Sequence, residues 1–151
     1  MTTSQADRSE HAVGTFLNSQ SFRFTAARRL VVRTLADAAG PMTAGDLHER
    51  LREDVPLSSL YRTLAVLEDA RVLAKEHDSA GVARYELAEW LTGHHHHLVC
   101  SSCGEVKDIA VDPETERTIS GLVEQIADGA GYRVTGHRID IEGACRLCRA
   151  G

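Results

Sequence analysis

The chain has 151 residues, 42 % of them apolar and 26 % charged, with a formal net charge of −5. That length admits one domain or two small ones with a buried core, and no apolar run reaches the roughly 20 residues needed to cross a bilayer. The net charge alone decides nothing about a nucleic-acid partner; its distribution does.

Residues 1–20 are polar and mixed, without a sustained period, and read as a flexible N-terminal extension in which His11 is solvated. Thr25 stands at an N-cap position, and Ala27, Leu30, Val31, Thr34, Leu35 and Ala38 recur at helical spacing until Gly40-Pro41. Inside that stretch Arg23, Arg28, Arg29 and Arg33 stand between Phe22 and Thr34 without a single acid. Thr43 and Asp46 open a second helix that carries Leu47 and Leu51 inward, with His48 on its surface. Ser58 is placed to cap a third helix over 59–71, whose Leu60, Leu64 and Leu67 form one edge and leave Ser59, Arg62 and Val66 on another face. Two alternating strands follow, over 72–77 and 83–87, joined by Asp78-Ser79-Ala80-Gly81.

Three short helices and a hairpin are the order of a winged helix-turn-helix. In that arrangement the third helix enters the major groove and arginine-bearing elements clamp phosphates. A small helical domain with no ligand gives the same order, and a solvated basic face gives the same arginine run.

Residues 89–93 read as a connector, with Trp90 packing at the domain junction. Residues 96–100 and 106–110 read as a strand pair whose turn carries Cys100 and Cys103. Asp112-Pro113 opens a helix over 114–128 with Ile119, Leu122, Val123 and Ile126 on one face, and 133–141 follow as a strand carrying His137. So small a unit buries little apolar area, and zinc and self-association are the expected compensations.

Four histidines, His94 to His97, run into Cys100-Ser101-Ser102-Cys103, and Cys145 with Cys148 uses up the four cysteines of the chain. Two CxxC pairs separated by a folded segment present four thiolates at tetrahedral reach, a zinc pattern. With paired cysteines and no signal-peptide pattern at the polar start, a reducing cytoplasm is the expected location. A thioredoxin-like dithiol needs one reactive pair near a βαβ unit, which fits poorly. A zinc-dependent hydrolase could draw ligands from Glu86, His95 and His97, but no substrate pocket is legible. The plain alternative is a zinc-stabilised dimeric interaction module.

The stretches Leu57-Ser58-Ser59-Leu60-Tyr61-Arg62-Thr63-Leu64 and Ala83-Arg84-Tyr85-Glu86-Leu87 are followed by the histidine run with Leu98-Val99-Cys100-Ser101-Ser102-Cys103-Gly104. Val134-Thr135-Gly136-His137 then precedes Cys145-Arg146-Leu147-Cys148. In this order they resemble the ferric-uptake-regulator family of bacterial metal-sensing repressors, over about residues 22–149. The unbroken histidine run is especially similar to the zinc-sensing branch.

The resemblance implies an α+β chain: an extension over 1–20, a winged-helix DNA-binding domain over 21–88, the connector, and a metal-binding dimerisation domain over 94–151. It implies a homodimer that binds double-stranded operator DNA when the second domain holds its metal, with Arg28, Ser59, Tyr61 and Arg62 at the DNA. Cys100, Cys103, Cys145 and Cys148 would hold structural zinc. On a strand His95 and His97 share one face and His94 and His96 the other. Glu86, His95 and His97 would form the sensing site, and His94, His96, Glu116 and His137 an additional one.

Pro41 stands where the family often has a histidine, so His77 is the candidate fourth sensing ligand. The interval from Glu86 to His95 is longer than usual in the family, and the long interval from Cys103 to His137 makes Glu114 an alternative to Glu116. No cysteine remains for the sensing site, and nitrogen and oxygen donors suit zinc, ferrous iron, manganese or nickel. Zinc is slightly favoured as the regulatory metal, with ferrous iron next.

Overall fold

A computed structural model of the chain describes residues 4–78 and 80–150. It divides into two compact units, Met1–Gly93 and His94–Gly151.

The first unit departs from the sequence reading at its start, where a helix, α1 (Gln5–Ser19), replaces the expected flexible extension. Ser4 and Asp7 form a capping box: the Asp7 N–H donates to Ser4 Oγ at 3.1 Å and the Ser4 N–H to Asp7 Oδ2 at 3.3 Å. Ala6, Ser9, Val13 and Leu17, three or four residues apart, are all buried. Two of those four are small, which is why the stripe does not stand out as apolar.

The acids of α1 face α2 (Ala26–Ala36). Glu10 pairs with Arg29 at 2.9 Å and with Arg33 at 2.7 Å, and Asp7 pairs with Arg33 at 2.8 Å. Hydrogen bonds from Arg33 are the main reason both carboxylates lie below their ordinary range. The arginine run that is acid-free in sequence is therefore half neutralised in space. Gly14 lets Phe24 close on α1, since a Cβ there would lie 3.1 Å from the Phe24 ring. Leu17→Ala is expected to lower the unfolding free energy by about 2–5 kcal/mol, read by chemical denaturation. An unchanged transition would return α1 to a frayed tail.

Thr25 caps α2, its Oγ1 accepting from the Arg28 N–H. β1 (Met42–Thr43) leads into α3 (Ala44–Leu51), which opens on a capping box formed by Thr43 and Asp46. The next helix, α4 (Leu57–Asp69), begins two residues before the expected start. Pro56 precedes it with its φ already helical, and its carbonyl accepts from Ser59 and Leu60 at 2.9 Å each. Ser58 thus lies inside the first turn instead of capping it. β2 (Leu73–His77) and β3 (Ala83–Leu87) pair antiparallel from Leu73 opposite Leu87 to His77 opposite Ala83, and β1 joins the other edge of β3. Ser79, in the expected turn, lies outside the described residues.

The expected connector carries a short helix, α5 (Glu89–Thr92), and belongs to the first unit. Its Trp90 packs 5.0 Å from the Phe16 ring and donates Nε1–H to the Arg71 carbonyl at 2.9 Å. One apolar cluster, with Leu17, Val31, Leu47, Leu60, Leu64 and Val72 at its centre, unites the helices and the wing.

In the second unit β4 (His96–Cys100) is the middle of three strands, with β5 (Val106–Ile109) antiparallel on one side and β6 (Asp140–Gly143) parallel on the other. The strand expected over 133–141 is corrected to β6, because β4 offers pairing only from His97 opposite Asp140 onward. Asp112 caps α6 (Pro113–Gly129), accepting from the Glu114 and Thr115 N–H groups at 3.0 Å each. Among the described residues of this unit the buried side chains are His96, His97 and Cys100. Its large apolar groups stay open: Leu122 is 58 % exposed, Ile126 65 % and Tyr132 74 %. No helix among the described residues is long and apolar enough to cross a membrane.

Candidate metal centres

β4 delivers Cys100 at its end, and the turn that follows brings Cys103 beside it before Gly104, at φ 74°, turns the chain toward β5. β6 leads to Cys145, and a turn of 3-10 helix supplies Cys148. The four free thiols have their sulfurs within 4.8 Å of one another, with Cys103 and Cys145 at 3.9 Å. A tetrahedral ion with sulfur bonds of ~2.3 Å would separate its sulfurs by ~3.8 Å. The Cys145 N–H donates to Cys100 Sγ at 3.3 Å, and with the Cys103 and Ser102 amides it brings the Cys100 thiol down to about 6. Hydrogen bonding to Cys145, Cys103 and Cys100 pushes Cys148 up to about 12. The Cys100 thiolate forms readily while Cys103 and Cys148 resist ionising beside it, so the group fits a cation that would let all four ionise.

A second group surrounds Glu116, in the first turn of α6. Its carboxylate lies 3.0 Å from His96 Nε2, 3.0 Å from His137 Nε2 and 3.5 Å from His94 Nε2. His94 and His137 approach nitrogen to nitrogen at 3.3 Å. Partial burial would raise Glu116, but the His96 hydrogen bond and the charges of His94, His96 and His137 outweigh it and hold the carboxyl down. Three imidazoles around one carboxylate fit a divalent ion. Glu114, the alternative, spends its N–H on the helix cap and is not in the group.

The other face of the histidine run holds His95 and His97, with ring centroids 5.2 Å apart. Asp108 Oδ1 lies 3.6 Å from His97 Nε2 and 3.9 Å from His95 Nε2. Those gaps are long for hydrogen bonds and suit donors about 2.0–2.2 Å from a shared ion. Asp108 was not anticipated. It faces His97 across the β4–β5 ladder, as Asp140 does across β4–β6. The signal that finds both is the pairing register, which spacing along the chain does not contain.

His77 is corrected within the first unit. It pairs with Ala83, while Glu86 pairs with Ala74 three rungs away. At about 3.3 Å per residue that is ~10 Å, and an odd offset puts the two side chains on opposite faces of the wing. They cannot ligate one ion. Glu86 itself is half-buried on β3.

Of the residues expected at DNA, Tyr61 is 54 % exposed and Arg62 is exposed on α4, its Nε donating to the Ser58 carbonyl at 3.3 Å. Ser59 is half-buried, and Arg28 on α2 is half-buried and donates to the Arg23 carbonyl.

The model of the ferric uptake regulator family matches residues 19–142. The ferric uptake regulation protein of Bacillus subtilis (strain 168) is 33 % identical over 137 residues, 87 % of this chain and 89 % of that protein. The Vibrio cholerae ferric uptake regulator matches in structure with a TM-score of 0.71 at 26 % identity, over 88 % of this chain and 99 % of that one. A zinc uptake regulator solved with zinc and DNA shares the fold, with a TM-score of 0.63 at 20 % identity over 98 % and 97 % of the two chains.

Proposed function

The chain belongs to the ferric uptake regulator family, and we propose that it is a repressor that binds operator DNA as a homodimer when its second unit holds a divalent metal. Such proteins are metal-responsive transcriptional regulators and not enzymes, so the hydrolase and dithiol readings fall away.

The observation that carries this reading is what the second unit buries. Its buried side chains among the described residues are two imidazoles and a thiol, all of them ligand types. A fold centred on ligands depends on its metal for order, because metal binding and folding share one free energy. The open stripe of α6, with Leu122 and Ile126, needs cover that the described part of this unit does not supply, and a second copy provides it.

In this reading the four cysteines hold structural zinc. His95 and His97 with Asp108 hold the regulatory ion, and Glu86 is added to them by the family resemblance alone. His94, His96, Glu116 and His137 form an accessory site. Nitrogen and oxygen donors do not choose among the divalent metals; the similarity of the histidine run to the zinc-sensing branch puts zinc first and ferrous iron second as the regulatory metal. Four thiols kept for a metal suit a reducing cytoplasm.

The exposed face of α4 reads the major groove through Tyr61 and Arg62. Arg62→Ala is expected to cost about 1–3 kcal/mol at one specific base pair. Arg28→Ala should weaken all sequences alike and lower the salt slope by roughly one phosphate. Fluorescence anisotropy on a palindromic promoter fragment and on a random duplex separates the two, and equal losses on both for Arg62→Ala would remove it from base reading.

A further inference from the structure

The two histidine groups differ in what stands behind their imidazoles. His97 is 5 % exposed, and its Nδ1 lies 3.1 Å from Asp140 Oδ1. An ionised carboxylate only accepts hydrogen bonds, so this contact requires the proton on Nδ1 and leaves the lone pair on Nε2. Nε2 is the nitrogen that looks toward Asp108, at 3.6 Å. His96, across the strand, is 2 % exposed, and its Nδ1 has no hydrogen-bond partner among the described residues.

Asp140 is also held in place. It opens β6, where the His97 N–H donates to the Ile139 carbonyl at 3.1 Å. The far end of that strand is tied by the Ser101 N–H to the Gly143 carbonyl at 2.9 Å, two residues before Cys145. The four-cysteine group thus anchors the strand that presents Asp140. Arg138 Nη2 lies 3.9 Å from the other carboxylate oxygen.

We propose that Asp140 is a positioning residue for the regulatory metal, holding His97 in the tautomer whose Nε2 faces Asp108. Such carboxylate–imidazole contacts behind a ligand raise its basicity and fix its ring, and their loss typically weakens metal binding about ten- to hundredfold. The inference rests on the reading that this group holds the regulatory ion, but its test needs no DNA.

The parent for the test is the full chain carrying His137→Ala, with zinc on its cysteines, so that the His97 group is the one titrated. Ring-nitrogen NMR on 15N-histidine protein reads the His97 tautomer before metal is added, and Co2+ absorption then reads affinity. The parent should carry its proton on Nδ1. Asp140→Ala should move that proton to Nε2 and weaken Co2+ about ten- to hundredfold, with zinc content and thermal unfolding unchanged. Asp140→Asn keeps an acceptor oxygen and should retain the tautomer with a smaller loss. Co2+ binding and a tautomer that are the same in parent and Asp140→Ala would overturn this inference alone. A parent with no Co2+ response would overturn the assignment of the site and the inference with it.

Discussion

Cys103→Ser is expected to empty the four-cysteine group and to unfold the second unit together with its self-association. Structural zinc binding is worth on the order of 10 kcal/mol, and loss of one of four thiolates removes several of them. A domain with a large aliphatic core could absorb part of that, but among the described residues of the second unit the buried side chains are His96, His97 and Cys100. The damage should also spread along β6, which pairs with β4 from Asp140 to Gly143 and ends just before Cys145. The first unit, with its own apolar cluster, should remain folded. Metal content by mass spectrometry and oligomeric state by sedimentation velocity check this together. A variant that stays dimeric with one tightly held zinc would show that the cysteines are not the structural site.

His95→Ala is expected to act in the opposite way, leaving zinc content, folding and the dimer intact while abolishing the metal-induced gain in operator affinity. A ligand shifts a protein between arrangements only by as much as its affinity for them differs. His95 is the second residue after the first unit ends at Gly93, so an ion held there would sit at the very start of the second unit's chain. His137 lies well inside the second unit, against Glu116 at 3.0 Å. His137→Ala should therefore reduce the response and leave the switch working. Operator affinity measured with and without added metal for both variants separates the roles. A full response in His95→Ala with none in His137→Ala would reverse the assignment of the two faces of the histidine run.

Much of this was legible because the signals are local. Thr25 and the Thr43/Asp46 box mark helix starts, the 83–87 strand alternates cleanly, and the two CxxC pairs carry their own geometry. Strand alternation also divides the histidine run, and the structure sets His95 beside His97 and His94 beside His96. What escaped is non-local. The stripe of α1 spends two positions on Ala6 and Ser9, and its value comes from Glu10 and Asp7 meeting arginines 19 to 26 residues away. Asp108 and Asp140 carry no signal of their own along the sequence, and only the register of β4 with both neighbours places them beside His97. His77 failed for the same reason, since the pairing of β2 with β3 puts it on the wrong face for Glu86.

In the proposed reading, metal at the His95/His97 group switches DNA binding on. Its most direct test is the affinity of the wild-type protein, holding only its structural zinc, for a palindromic promoter fragment as a divalent ion is titrated in. Weak, sequence-indifferent binding is expected before the titration. Tight, specific binding should follow once about one regulatory ion per chain is bound, with Zn2+ or Fe2+ effective. Operator affinity that is the same with and without the second ion, at any concentration that fills the site, would contradict it.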